Sequence, residues 1–132
     1  KNIKKISISN RTTKKAITLK KKFPFIEIIL WKDINNKSQD ADVIINTTSL
    51  GMKNGSNFNQ VIKKFKENLI YYDVVYNPLE TTMLKNFKKK KIKTFNGLEM
   101  FLYQGQKSFY LWNGINPEID DDLKKIIASN LK

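Results

Sequence analysis

Five short apolar runs, separated by stretches with helical spacing, constrain this 132-residue chain more than any other feature. They are Ile3 to Ser9, Ile26 to Leu30, Val43 to Asn46, Ile70 to Val75 and Ile92 to Phe95. Runs of this length between helix-like segments are the pattern of parallel strands joined by crossover helices, so an α/β sheet is expected. Thr13 to Lys22 brings Ala16, Leu19 and Phe23 to one face, with Thr12 or Thr13 available as its cap. Thr81 to Lys90 turns Met83, Leu84 and Phe87 inward behind Thr81, and its last lysines suit the negative end of the helix dipole. After Phe95 the strand rhythm stops and two helices follow. Leu98 to Trp112 carries an apolar seam of Leu98, Leu102, Gly105, Phe109 and Trp112. Pro117 to Leu131 opens on Pro117 and is striped by Ile119, Leu123, Ile126, Ile127 and Leu131. Residues 1–95 therefore read as a sheet-bearing part and 96–132 as a helical segment of the same domain, with Lys53 to Asn59 as a flexible loop.

The residue types that are missing narrow the chemistry. With no Cys and no His, disulfides, zinc held by thiolate or imidazole, and Ser-His-Asp triads are excluded. No metal is expected, and acid or base work falls to Lys, Asp, Glu or Tyr. No apolar run is long enough to cross a membrane, and the lack of Cys fits a reducing cytoplasm. A net charge of +13 raises the question of nucleic acid. The lysines, however, are spread along the chain, the run Lys88 to Lys91 falls at a helix end, and neither a recognition helix nor an aromatic-rich basic face is evident. No nucleic-acid partner is expected. The charge is densest in residues 1–32, where nine lysines and Arg11 stand against Glu27 alone, which suits a polyanionic cofactor. The chain opens without Met or a signal pattern and reads as a piece of something longer.

Three segments concentrate functional chemistry. Arg11 is the only arginine in the chain, and it directly follows the first strand run in Asn10, Arg11, Thr12. A planar guanidinium at a strand end can grip a phosphate bidentately, and in dinucleotide folds it accommodates the 2′-phosphate of NADP where an acid would accept the ribose of NAD. Asp42 to Met52 is a buried strand opening into the hydroxyl-rich turn Thr47, Thr48, Ser49 before Gly51, placed where ligands of open α/β sheets bind. Tyr72 to Pro78 repeats the arrangement, projecting Tyr76 toward the same crevice. Asn96 to Met100 then opens a helix on which Met100 and Gln104 lie one turn apart, while Gly97 permits close backbone approach at its start.

In this order the segments resemble the C-terminal, NADP-binding part of the shikimate dehydrogenase family along nearly the whole chain. Asn10, Arg11, Thr12 and Lys15 resemble its 2′-phosphate motif, Ile45 to Met52 its Asn-Ala-Thr-Ser turn, and Tyr72 to Pro78 its Tyr-Asp-x-x-Tyr-x-Pro segment. Asn96 to Trp112 is the most specific piece. Thr47 departs from the usual Ala, Lys15 from a common Arg, and Val74 from a larger apolar residue. The resemblance implies NADP as cofactor, bound by Asn10, Arg11, Thr12, Lys15, Thr48, Ser49, Val74, Gly97 and Met100, and shikimate bound by Tyr76 and Gln104. It implies reversible NADPH-dependent reduction of 3-dehydroshikimate in aromatic amino acid biosynthesis, by a cytoplasmic monomer or homodimer. The family's catalytic Lys and Asp, and its glycine-rich loop, have no counterpart in these residues, so no catalytic residue is expected here. A quinate/shikimate dual-specificity dehydrogenase, the NADP domain of glutamyl-tRNA reductase, and a basic nucleic-acid-binding domain are the alternatives. The resemblance implies an incomplete Rossmann-like parallel sheet, strands 2–6 with central strand 1 missing, followed by the two C-terminal helices. Strands 2 and 4 would then show open edges, making the isolated piece marginally stable or aggregation-prone.

Overall fold

A computed structural model of the chain describes residues 3–56 and 62–131. They form two compact units, 3–41 with 62–66, and 42–56 with 67–131. The fold is α/β with parallel strands, and among the described residues a crossover helix joins the first two strands and the last two. Asn57 to Asn59 of the expected loop lie outside the described residues.

In the first unit, strand β1 (Ser7–Ile8) pairs in parallel with β2 (Glu27–Ile28), and helix α1 (Thr13–Lys22) connects them. The expected strands Ile3 to Ser9 and Ile26 to Leu30 thus contract to two residues each. β1 has a strand on one side only among the described residues, and Ile3 and Ile6 stay exposed, so neither burial nor a second ladder extends it. Lys5 Nζ at 2.8 Å and the Ser7 hydroxyl at 3.2 Å clasp Glu27 across the pair and hold its carboxyl below the usual range, the lysine bond contributing most. Helix α1 has its expected bounds but not its expected face. It buries Ala16, while Leu19 and Phe23 remain exposed, because a two-residue ladder offers too narrow a surface to cover them. Two 3-10 turns, Trp31–Asp33 and Ser38–Asp40, flank the one-turn helix α2 (Ile34–Lys37). These pieces are too short for a helical period to register in sequence.

The second unit is a three-stranded parallel sheet in the order β3-β4-β5, with β3 at Val43–Asn46, β4 at Ile70–Asp73 and β5 at Lys93–Phe95. β4 stops short of Val75 and β5 starts after Ile92, though both residues are buried. β4 is central, and its Tyr71 and Asp73 are buried. β3 has β4 as its one strand neighbour among the described residues, and its Val43 and Ile45 are 50% and 57% exposed. Helix α3 (Thr82–Lys89) lays Met83, Leu84 and Phe87 on the sheet as expected, and the hydroxyl of Thr81 caps it by accepting from the Leu84 N–H.

Helix α4 (Leu98–Asn113) ends on Gly114 in the left-handed conformation. Its expected seam is buried only at Leu102; Phe109 is exposed and Trp112 is 82% exposed. Helix α5 spans Asp121–Asn130, not Pro117 to Leu131. The side chain of Asp120 accepts from the Leu123 N–H at 2.7 Å and so fixes the helix start, while the Pro117 carbonyl is taken by Gln106 Nε2 at 2.7 Å. Within the expected stripe Ile126 is exposed and the other four are half-buried.

Tyr71 stacks on Phe87 with ring centroids 4.6 Å apart, and its hydroxyl donates to Asp73 Oδ2 at 3.3 Å. Burial, and then the neighbouring carboxylate, push its phenol far above the ordinary value of 10.0. The folded state therefore keeps a proton that the unfolded chain gives up. This contribution is full below about pH 10 and declines above it, by about 1.4 kcal/mol per pH unit. Urea midpoints of the protein at pH 9 and pH 11 should fall more steeply for wild type than for Tyr71→Phe; equal slopes would remove Tyr71 from the alkaline transition.

Candidate functional site

In the first unit, the expected phosphate residues gather where β1 passes into α1. The Asn10 side chain accepts from the Thr12 N–H at 2.8 Å, bending the chain so that Arg11 projects outward. Thr12 is the N-cap residue, as expected, but its side chain makes no capping bond, and the first turn of α1 contains no acid. The helix start is flanked instead by exposed Arg11, Lys14 and Lys15. Arg11 makes no hydrogen bond or ion pair with any described residue. Uncapped N–H groups at the positive end of a ten-residue helix, beside a guanidinium and ammonium groups, form a setting for an anion.

In the second unit, an open cleft of about 410 Å³ lies past the carboxyl ends of β3 and β4. Thr47, Thr48 and Ser49 line it from the β3 side and Val74, Val75, Tyr76 and Asn77 from the β4 side, with Met52 and Lys53 completing the wall. Of the expected ligand residues it brings together Thr48, Ser49, Val74 and Tyr76. Met52, Lys53, Val75 and Asn77 are lining residues that sequence reasoning did not nominate. Each lies within or beside a quoted motif, so motif adjacency was the available signal. The Lys53 N–H donates to the Asn77 carbonyl at 3.0 Å and ties the two sides together.

A buried polar network supports the turn. Asp73 is completely buried, and its Oδ1 accepts from Asn46 Nδ2 at 3.0 Å and the Val75 N–H at 3.1 Å. Its Oδ2 accepts from the Thr81 hydroxyl at 2.8 Å and from Tyr71. Four donors on one carboxylate satisfy it without a cation. Asn46, held in this way, accepts from the Thr48 N–H at 3.1 Å and the Thr48 hydroxyl at 2.7 Å.

Gly97 sits at the start of α4 against the exit of β4. A Cβ there would lie 2.0 Å from the Val74 carbonyl oxygen, and the Gly97 N–H donates to the Val75 carbonyl at 3.1 Å. The close approach that Gly97 permits in this structure is to the chain's own backbone. Tyr76 stacks on Phe101 of α4 at 4.4 Å. Met100 and Gln104 stand exposed on α4 and are not among the cleft-lining residues. Two buried polar atoms have no partner in the described structure, the Ser9 hydroxyl at the end of β1 and Asn77 Oδ1 in the cleft wall. Both fit a polar ligand at a strand's carboxyl end. Among the described residues no cluster of carboxylates could hold a metal, and no helix is long and apolar enough to cross a membrane.

Parallel strands with crossover helices and a crevice past their carboxyl ends define an open α/β protein of the ligand-binding, Rossmann-like class. Comparison with known proteins narrows the class. Residues 97–126 match the family model described as the Shikimate 5'-dehydrogenase C-terminal domain. A shikimate dehydrogenase (NADP(+)) of Pelagibacter ubique is 49% identical over 91% of this chain and 44% of its own length. That of Methanocaldococcus jannaschii is 37% identical over 87% of this chain and 44% of its own. The crystal structure of Thermus thermophilus shikimate 5-dehydrogenase in complex with NADP(H) and shikimate superposes with a TM-score of 0.77 at 28% identity, over 97% of this chain and 46% of that one. The chain is related to the NADP-dependent shikimate dehydrogenases and spans about half the length of the curated relatives it matches.

Proposed function

We propose that the protein carrying this chain is an NADP-dependent shikimate dehydrogenase, reducing 3-dehydroshikimate reversibly to shikimate, and that this chain supplies cofactor recognition and one wall of the substrate site. The observation that carries the reading is the cleft past β3 and β4, with hydroxyls on one side and Tyr76 among apolar residues on the other, in a chain with these relatives. NADPH, when bound, supplies the hydride. Asn10, Arg11, Thr12 and Lys15 hold the 2′-phosphate at the uncapped start of α1. Thr48 and Ser49 sit near the ribose and phosphates, and Val74, Gly97 and Met100 border the nicotinamide. Tyr76 and Gln104 bind shikimate through a phenol and an amide, which offer both donor and acceptor to a polyol. No residue of this chain is assigned the proton transfer. Residues 1–95 and 96–132 work as one cofactor domain, in a cytoplasmic enzyme acting as a monomer or homodimer.

Arg11→Ala separates this reading from a general basic surface. In the full-length protein it should weaken NADPH by about 2–3 kcal/mol, the loss of a charge-assisted contact, and leave NADH almost unchanged. Titrating both cofactors by fluorescence checks this, and equal losses for the two would withdraw Arg11 from the 2′-phosphate.

A further inference from the structure

The hydrogen bonds around Asn46 settle the polarity of the Thr48 hydroxyl. Asn46 Nδ2 faces two acceptors, Asp73 Oδ1 at 3.0 Å and the Leu50 carbonyl at 3.2 Å, so it is the amide nitrogen. The other amide atom receives the Thr48 backbone N–H at 3.1 Å, so it is the oxygen. That oxygen lies 2.7 Å from the Thr48 hydroxyl and can only accept, which commits the one hydroxyl proton of Thr48 to Asn46. The Leu50 N–H, at 3.2 Å, takes one lone pair of the same hydroxyl. What Thr48, a lining residue of the cleft, retains for a ligand is therefore a single lone pair.

We propose that Thr48 is a specificity-determining residue that accepts from a ligand hydroxyl and disfavours a phosphate oxygen, with Asp73 acting through Asn46 as the positioning residue that holds it so. The proposal rests on the dehydrogenase reading and deepens it. An unprotonated phosphate oxygen would set lone pair against lone pair at Thr48, whereas a sugar or polyol hydroxyl would complete its fourth interaction. Two ligands carry that chemistry, the nicotinamide ribose of the cofactor and shikimate itself.

Steady-state kinetics of the full-length protein with NADP+ and shikimate test it. Thr48→Val should raise KM about tenfold for the ligand whose hydroxyl is read, NADP+ if the ribose and shikimate if the polyol, with kcat changing less. Thr48→Ser, which keeps the hydroxyl, should restore it. An analogue of that ligand with fluorine in place of the hydroxyl can accept but not donate. It should lose about tenfold against wild type and little more against Thr48→Val. A folded Thr48→Val with both KM values unchanged, or a fluoro analogue used as well as its parent, overturns the proposal. Wild-type protein unable to oxidise shikimate with NADP+ overturns the dehydrogenase reading and the proposal with it, whereas active wild type with an indifferent Thr48→Val overturns the proposal alone. The positioning role is read without substitution, since the Thr48 hydroxyl proton should exchange slowly enough to be seen by NMR and show cross-relaxation to Asn46. A hydroxyl proton in fast exchange with water overturns that role.

Discussion

Gly97→Ala is expected to destabilise the fold by about 3–5 kcal/mol, the upper range for a forced overlap with backbone. The methyl group would lie 2.0 Å from the Val74 carbonyl oxygen and 2.5 Å from its carbon, and neither can rotate aside as a side chain could. Relief requires the start of α4 to retreat from β4, which breaks the bond from Gly97 to the Val75 carbonyl. Gly105 on the same helix is the control, because a Cβ there meets nothing within 4 Å. Gly105→Ala should stabilise by about 0.5–1 kcal/mol, the ordinary gain from replacing glycine within a helix. Urea unfolding of the two variants in the full-length protein decides the matter. Similar small shifts for both would mean that α4 accommodates the methyl and that the tight packing is not required.

Asp73→Ala should produce a loss of similar size, about 3–5 kcal/mol, by a different route. It removes the acceptor for Asn46 Nδ2, Thr81 Oγ1, Tyr71 Oη and the Val75 N–H, and leaves these donors in a site closed to water. A domain with 5–15 kcal/mol of total stability, the usual range, loses a large part of it. The damage reaches both ends of the network. Thr81 caps α3, and Asn46 shapes the turn at Thr48, so loss of Asp73 should loosen the α3 start and the cleft together. Hydrogen exchange at Leu84 and Thr48 would report this. Protection lost at neither amide, or a stability change below about 1 kcal/mol, would show that water or rearrangement satisfies the donors.

How much of this was readable from sequence differs from element to element. The continuous run Val43 to Asn46 became β3 with those bounds because it joins a three-stranded sheet, whereas Ile3 to Ser9, despite its alternation, kept only two ladder residues. Periodicity records what a segment could bury, and a ladder also needs a neighbour. The start of α5 was misplaced for a local reason: Pro117 suits a first helical turn, but the Asp120 side chain supplies the actual cap. For the cleft, the motif residues Thr48, Ser49, Val74 and Tyr76 were found, and Met52, Lys53, Val75 and Asn77 were not. Their motifs marked the neighbourhood, but which neighbours line the wall depends on the bond from the Lys53 N–H to the Asn77 carbonyl, which ties two loops distant in sequence. The buried status of Asp73 was likewise hidden, since its four donors come from residues between Asn46 and Thr81.

The stacking of Tyr76 on Phe101 has a consequence for how such a cleft can diversify. An aromatic ring packed face to face on a helix residue cannot swing without giving up that contact, so the reach of the Tyr76 phenol is set by where α4 lies. Changes in the residues beneath α4, Leu102 foremost, would move the tyrosine without altering any lining residue. Ligand size preference can then drift through the buried side of a helix, leaving the sequence of the cleft wall the same.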